Sequence, residues 1–447
     1  MITERPATHR NPRSFPYTLR TFPTRLVDGE VPDEVLNWTH AVALGFYGPA
    51  PTDADIKKFV LSEQVDGRMV TGAYLTDAGS PAGAWGPEYP VATYAYHRKD
   101  VNVGGGTLLP VHQITAVTVR PSHRRRGILR AMMSSDLAQV KAAGIPMAAL
   151  TASEATIYGR FGFGVATHKC KIEVATNGGL EFIVPMSADH GTVEVADAAV
   201  VRDLHNEIFT RVHATTFGSI GRQDMYRLLI SGQGGYEHTE PVRNVRAALH
   251  YGQDGSVDGY VTYTVDESLT PATAIVKDLL AVTGEAYLAL WKFLGSLDLI
   301  ERVSWDSAPV QDPLEWAIAG KRRYQRKGME DHLWLRILDV PAALAAKAYT
   351  VDGTVTVHVG DPLGHASGIF RIEVVEGTAT VTRCPEDGSV EADLAMGVSE
   401  LSSLYLGAVS ARTLEAAGRL REVRQGSIVT FDALFSSSLV AHSMADF

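Results

Sequence analysis

Three consecutive arginines and a glycine, Arg124-Arg125-Arg126-Gly127, sit inside residues 111–133, VHQITAVTVRPSHRRRGILRAMM. The apolar run from Ile114 to Val119 predicts a strand, and Pro121 opens a turn. Ile128, Leu129, Met132 and Met133 then recur at helical spacing. The first N–H groups of a helix lack intrahelical partners, so a strand–turn–helix junction can bind an anion. Gly127 permits close backbone approach and the guanidinium groups add positive charge. That chemistry suits a pyrophosphate. The spacing is neither the Gly-x-x-x-x-Gly-Lys-Ser/Thr of a Walker loop nor the Gly-x-Gly-x-x-Gly of a dinucleotide fold. The competing reading is a basic helix start that merely faces water.

A second constellation lies at residues 150–164, LTASEATIYGRFGFG. It predicts a buried strand over 147–151, a helix capped by Ser153, and a glycine-rich turn after Tyr158. A tyrosine, with an ordinary pKa near ~10, can share a proton with a thiol near ~8.5. It is equally good packing material for a core. Taken in order, the two segments resemble GNAT acetyltransferases. In that superfamily the arginine–glycine loop grips the pyrophosphate of acetyl-CoA, and a tyrosine one strand–helix unit later reaches the cofactor sulfur.

The elements that must position these groups fall into three units. Residues 1–26 are rich in Pro and Arg without periodicity and read as an N-terminal arm. The first unit, 27–176, predicts helices over 34–46 and 53–64 and strands over 68–75 and 91–97, leading into the loop. The second, 177–332, predicts helices over 198–211 and 222–230 and strands over 245–251, 260–265 and 274–281. Its strand, short Thr283-Gly284-Glu285 turn and amphipathic helix repeat the outline of the first unit without the arginines, so no cofactor loop is expected there. It is either a second GNAT-like fold or an unrelated α/β domain. The third, 333–447, predicts alternating strands over 354–359, 368–375, 378–382 and 390–396, then helices over 399–406 and 412–420, an α+β layout.

Composition narrows the function. A chain of 447 residues exceeds one ordinary core. No apolar run reaches the ~20 residues of a membrane span. The first twenty residues carry no apolar signal core, so a cytoplasmic location is expected. Two cysteines 214 positions apart argue against a disulfide framework, and 15 histidines without metal-site spacing argue against a metal. A formal net charge of −10 disfavours nucleic acid as a partner. It either attracts a cationic second substrate toward a protein with one basic loop, or simply keeps the chain soluble.

Together VTVRPSHRRRGILRAM, ASEATIYGRFGFG, LWLRILDVPAAL, LSSLYLGA and a terminal Phe resemble the Eis (enhanced intracellular survival) acetyltransferases over nearly the whole chain beyond the arm. The resemblance implies α/β and α+β architecture: two tandem GNAT-like domains followed by a sterol-carrier-protein-like C-terminal domain, assembled as a homohexamer. It implies transfer of acetyl from acetyl-CoA to amino groups of aminoglycosides and other small polycationic amines, often at several positions. Acetyl-CoA would lie along Val117, Thr118 and Val119. Arg125, Arg126, Gly127, Ile128, Leu129 and Arg130 would wrap its pyrophosphate, with Ser153 and Glu154 beside it. Glu154 could equally be a first-turn carboxylate that complements a helix dipole. Tyr158 would be the general acid and the terminal carboxylate of Phe447 the general base. Asp446 would draw a cationic acceptor. Two features depart from the pattern: the arm is long, and Ala116 is smaller than the aromatic some relatives place before the cofactor strand. A protein-lysine acetyltransferase, or a non-catalytic carrier of acetyl-CoA or an apolar ligand, would share much of this sequence.

Overall fold

The computed structural model describes residues 16–76, 81–185, 191–234 and 240–447. Its backbone divides into one unit of residues up to 96 plus 116–133, and another of residues 97–115 plus 134–447.

In the first unit, Tyr17–Pro23 pairs antiparallel with Met69–Leu75, which pairs in turn with residues 92–96 of the Ala92–Asn102 strand. The expected arm therefore ends in a strand; residues 1–15 lie outside the described residues. Helix Asp53–Val65 starts at Thr52, whose hydroxyl accepts from the Asp55 N–H at 3.2 Å while the Asp55 carboxylate accepts from the Thr52 N–H at 3.0 Å. This reciprocal cap satisfies two orphan donors. Helix Asp33–Gly45 and this one turn Val35, Trp38, Ile56 and Val60 onto Phe22, Val70, Tyr74 and Ala95 to form the core.

The second unit holds most of the chain. Leu108–Val119 pairs in parallel with Met147–Thr151 through Val111, His112 and Gln113. The next strand in that sheet is Leu333–Ile337, antiparallel both to Met147–Thr151 and to Gly164–Val165. The following sheet has seven strands, ordered Tyr324–Asp331, His168–Ala175, Arg302–Ala308, Thr273–Ala281, Val257–Asp266, Arg246–Tyr251 and Thr192–Ala196. The sheets thus exchange strands relative to the expected boundaries. His168–Ala175, read as the end of the first domain, pairs with Arg302–Ala308 and Tyr324–Asp331. Leu333–Ile337, read as the start of the third, completes the sheet that carries Met147–Thr151. Short strands of this kind can join either sheet, and only tertiary pairing decides between them.

Helix Gly284–Leu294 is capped by Thr283, whose hydroxyl accepts from the Ala286 N–H at 3.1 Å, and it buries Ala286, Leu290, Trp291 and Leu294. The last sheet orders Thr378–Cys384, Gly368–Val375, Gly353–Gly360, Leu394–Gly397 and Leu420–Glu422. Helices Val398–Tyr405, Ala411–Ala416 and Ser427–Phe435 accompany it. Residue 420, expected to end a helix, instead opens the short edge strand. Among the described residues no helix is long and apolar enough to cross a membrane.

Candidate active site

The arginine–glycine loop stands between a short 3₁₀ turn, Pro121–His123, and helix Ile128–Ala142. Arg125 (φ 62°) and Gly127 (φ 82°) both adopt left-handed backbone, which turns successive N–H groups toward one side. A Cβ added at Gly127 would meet no atom within 4 Å, so the backbone there faces open space. The N–H groups of Arg125, Arg126 and Gly127 make no hydrogen bond among the described residues. The arginines divide their work. Arg124 donates to Val119 O at 3.2 Å and to the Tyr47 hydroxyl at 3.3 Å, and Arg126 donates to Ser122 O at 2.9 Å, so both brace the loop. Arg125 and Arg130 are exposed and make no ion pair among the described residues. Ile128 is buried and Leu129 half-buried, anchoring the helix start. Unpartnered donors, two free guanidinium groups and an open cradle fit a pyrophosphate.

Upstream, Ala116 adopts a left-handed φ of 51° within the strand Leu108–Val119, just before Val117. Thr93 Oγ1 donates to Ala116 O at 2.9 Å and lies 2.7 Å from Thr118 Oγ1. The Thr118 side chain is buried under Gly45, where an added Cβ would come within 2.4 Å of it. Thr118 therefore packs inward, while Val117 and Val119 are half-buried.

In the second unit, Tyr158 ends the short helix Ala155–Tyr158 and is 7% exposed. Its ring meets Phe163 edge-on at 6.2 Å. Burial pushes the phenol up to about 12, so it stays protonated through the neutral range. The turn behind it is fixed from the far end of the chain: Arg336 Nε donates to Phe161 O at 2.6 Å, and Ser399 Oγ donates to Phe163 O at 2.7 Å. Arg336 is held in turn by both Asp361 oxygens at 2.8 and 2.7 Å, with neither side chain exposed. The expected Ser153 cap is not formed. The helix starts one residue later, with Glu154 at the N-cap position and no side-chain capping bond. Ser153 and Glu154 are exposed, and Glu154 accepts from Thr156 Oγ1 at 2.7 Å.

The end of the chain is docked in the same unit. Ala441, His442, Ser443 and Ala445 are buried. Thr151 Oγ1 bonds the Phe447 O and, at 3.3 Å, accepts from the Phe447 N–H. The Tyr226 hydroxyl bonds the Asp446 N–H and donates to Asp446 O at 3.1 Å. Arg222 is the main clamp. It donates to Met444 O from Nε at 3.0 Å and from Nη2 at 2.5 Å, and it pairs with both Asp278 oxygens at 2.8 Å. Asp278 also accepts from the Tyr260 hydroxyl at 2.5 Å, and that hydroxyl lies 2.8 Å from His205 Nδ1. The Asp446 carboxylate faces His332 Nε2 at 2.9 Å and Lys169 Nζ at 3.0 Å. Desolvation raises its pKa, but the bonds and charges of His332 and Lys169 outweigh that and hold it well below the usual carboxylate range.

Comparison with known proteins now decides the family. GNAT acetyltransferase domain models match residues 54–166 and 224–337, and a sterol carrier protein domain model matches 340–441. An uncharacterized N-acetyltransferase of Streptomyces griseus is 34% identical over 411 residues, 90% of this chain and 95% of that one. N-acetyltransferase Eis of Mycobacterium tuberculosis is 34% identical over 365 residues, 78% of this chain and 83% of its own. The chain belongs to the Eis family of N-acetyltransferases. The crystal structure of Eis1 from Mycobacterium abscessus agrees, with TM-score 0.76 and 27% identity over 91% of this chain and 96% of that one. The chain is therefore an acyltransferase with two GNAT domains and a sterol-carrier-type domain, and enzymes of the GNAT class use acetyl-CoA.

Sequence reading missed the groups that hold the chain end: Thr151, Arg222, Tyr226, Asp278 and His332. One signal was legible. Asp278 lies in a mostly apolar strand on the same face as the buried Leu280, and a carboxylate on a buried face calls for a buried partner. Arg222 gave no such signal, because it precedes the helix Met225–Ile230 expected to begin at 222.

Proposed function

We propose that the chain transfers acetyl from acetyl-CoA to amino groups of aminoglycosides and other polycationic amines, at more than one position. The observation that carries this reading is the docking of Phe447 against Thr151, with the preceding carbonyl groups held by Tyr226 and Arg222. Most chain ends fray, and the several specific bonds on residues 444–447 support a role for them beyond packing. An α-carboxylate with an ordinary pKa near ~3.5 is ionised at neutral pH and can accept the proton of an attacking ammonium, directly or through water. The Tyr158 hydroxyl, kept protonated by burial, donates the proton that the leaving sulfur requires. Acetyl-CoA supplies the activated acetyl group when bound. Arg125, Arg126, Gly127, Ile128, Leu129 and Arg130 would hold its pyrophosphate, Val117, Thr118 and Val119 its pantetheine arm, and Ser153 and Glu154 would flank it. Asp446 has its charge shared with Lys169 and His332; it orders the tail and, being partly exposed, adds negative potential for a cationic acceptor. The family resemblance leads us to place the enzyme in the cytoplasm as a homohexamer, and we expect one cofactor per chain, because a short turn capped by Thr283 replaces the arginine loop in the second GNAT domain.

The test is thiol release from acetyl-CoA in the presence of an aminoglycoside. Wild-type protein should turn over. A C-terminal extension, which converts the Phe447 carboxylate to an amide, should abolish turnover while acetyl-CoA still binds. Full activity in the extended chain would place the base elsewhere.

A further inference from the structure

Beside the docked chain end, within the second unit, lies a cavity of about 440 Å³, a size typical of small-ligand sites. Its walls include the apolar side chains of Leu229, Ile230, Val242, Val245, Trp305 and Met444. Four charged side chains also line it: Arg222, Lys277, Asp278 and Asp446. Three of these are already committed. Arg222 and Asp278 are bound to each other, and Asp446 is bound to Lys169 and His332. The Tyr226 hydroxyl is committed to the Asp446 backbone. Lys277 is different. It makes no ion pair or hydrogen bond among the described residues. It is also the extra residue of a bulge: Thr262 pairs with Asp278 and Tyr263 with Val276, leaving Lys277 unmatched across the strands. Bulges of this kind re-aim a side chain. Ser307, on the adjacent strand Arg302–Ala308, lines the same cavity and makes no bond among the described residues.

An apolar chamber with one uncommitted ammonium and one uncommitted hydroxyl complements an anionic group. It favours an apolar body that ends in a carboxylate, with Lys277 supplying the counter-charge and Ser307 a donor. We propose that this cavity receives the non-reacting end of a second class of acceptor, amines that carry an apolar segment terminated by a carboxylate, and that Lys277 determines specificity for them. The inference rests on the reading of Phe447 as the base, since Asp446 and Met444 of the tail line the cavity.

Full-length protein should be assayed by thiol release with 8-aminooctanoate and with 1-aminooctane, and octanoate should be titrated calorimetrically as a probe that cannot react. Wild-type enzyme should prefer 8-aminooctanoate, and octanoate should bind and compete with it. Loss of a charge-assisted contact corresponds to roughly tenfold or more in affinity. Lys277→Glu should therefore weaken octanoate by about that factor and reverse the preference toward 1-aminooctane, while Lys277→Arg should retain the wild-type order. Lys277 is exposed, so neither variant threatens the fold. Equal octanoate affinity in wild type and Lys277→Glu, or a wild-type preference for 1-aminooctane, would overturn the inference. Failure of the chain-end reading would look different: the extended chain would turn over 8-aminooctanoate as well as wild type, with the Lys277 dependence intact.

Discussion

Removing the charge of Asp278 while keeping its shape isolates what the Arg222 clamp contributes. In Asp278→Asn a guanidinium whose side chain is 3% exposed loses its counter-charge and cannot reach water for compensation. Breaking a buried pair from one side costs about 3–5 kcal/mol, because the remaining charge stays desolvated. That is a large part of the ~5–15 kcal/mol that holds a domain folded. The double replacement Arg222→Met with Asp278→Leu leaves no buried charge, and exchanges of this kind are close to neutral or stabilising. The Tyr260 hydroxyl then loses Asp278 as acceptor but keeps His205 Nδ1 within 2.8 Å. The double variant should therefore be more stable than Asp278→Asn in urea titration. Its chain end tells another story, because both donors to Met444 O are gone. A hydrogen bond from a charged donor contributes about 1.5–3 kcal/mol, so turnover should fall roughly 10- to 100-fold as the tail loosens. Thiol-release kinetics on the double variant give the decisive number. A stable double variant with wild-type kcat would refute the idea that Arg222 positions the last residues.

Arg125→Ala combined with Gly127→Asp should weaken acetyl-CoA binding, since one free guanidinium is lost and a carboxylate enters the cradle; unchanged calorimetric affinity would remove the pyrophosphate assignment. Titration of the full chain should saturate at one acetyl-CoA per chain, and light scattering should give six times the 48.3 kDa chain mass; two cofactors per chain or a monomer mass would contradict these expectations. Stability should also fall with acid before the carboxylates titrate. Burial, assisted by the Arg222 charge, lowers His205 to about 3, and burial likewise lowers His442 to about 3. Between pH ~6.5 and ~3 the unfolded chain binds protons that the folded one refuses, so each histidine removes up to ~1.4 kcal/mol per pH unit as pH falls through that window. His205→Phe should flatten the slope of urea midpoint against pH, and an unaltered slope would show that this histidine titrates normally in the fold. At lower pH the Asp278 contribution fades as well. Desolvation raises that carboxyl, but Arg222 outweighs it and depresses the folded pKa, so its stability is present above ~3.9 and lost below.

Local patterns in the sequence determined the parts whose physics is local. The loop at 124–127 was legible because left-handed backbone, orphan helix N–H groups and arginine charge are all properties of a few consecutive residues. Helices such as Asp53–Val65 and Gly284–Leu294 follow from their caps and apolar spacing in the same way. Tertiary structure decided everything that depends on residues far apart in the chain. Whether His168–Ala175 or Leu333–Ile337 ends one sheet or joins another turns on which strands pair with it, and those partners lie far away in the chain. The Ser153 cap was a reasonable local reading that lost to the geometry of a one-turn helix fixed from outside by Arg336 and Ser399. The clearest case is the chain end. Phe447 could be singled out by resemblance, but nothing near it in sequence holds it. Thr151 lies 296 positions away, and Tyr226 and Arg222 lie about half the chain away from the residues they bind. The Arg222 side of the buried pair with Asp278 has no local signature, because its burial is a property of the folded core and not of its neighbours in the chain.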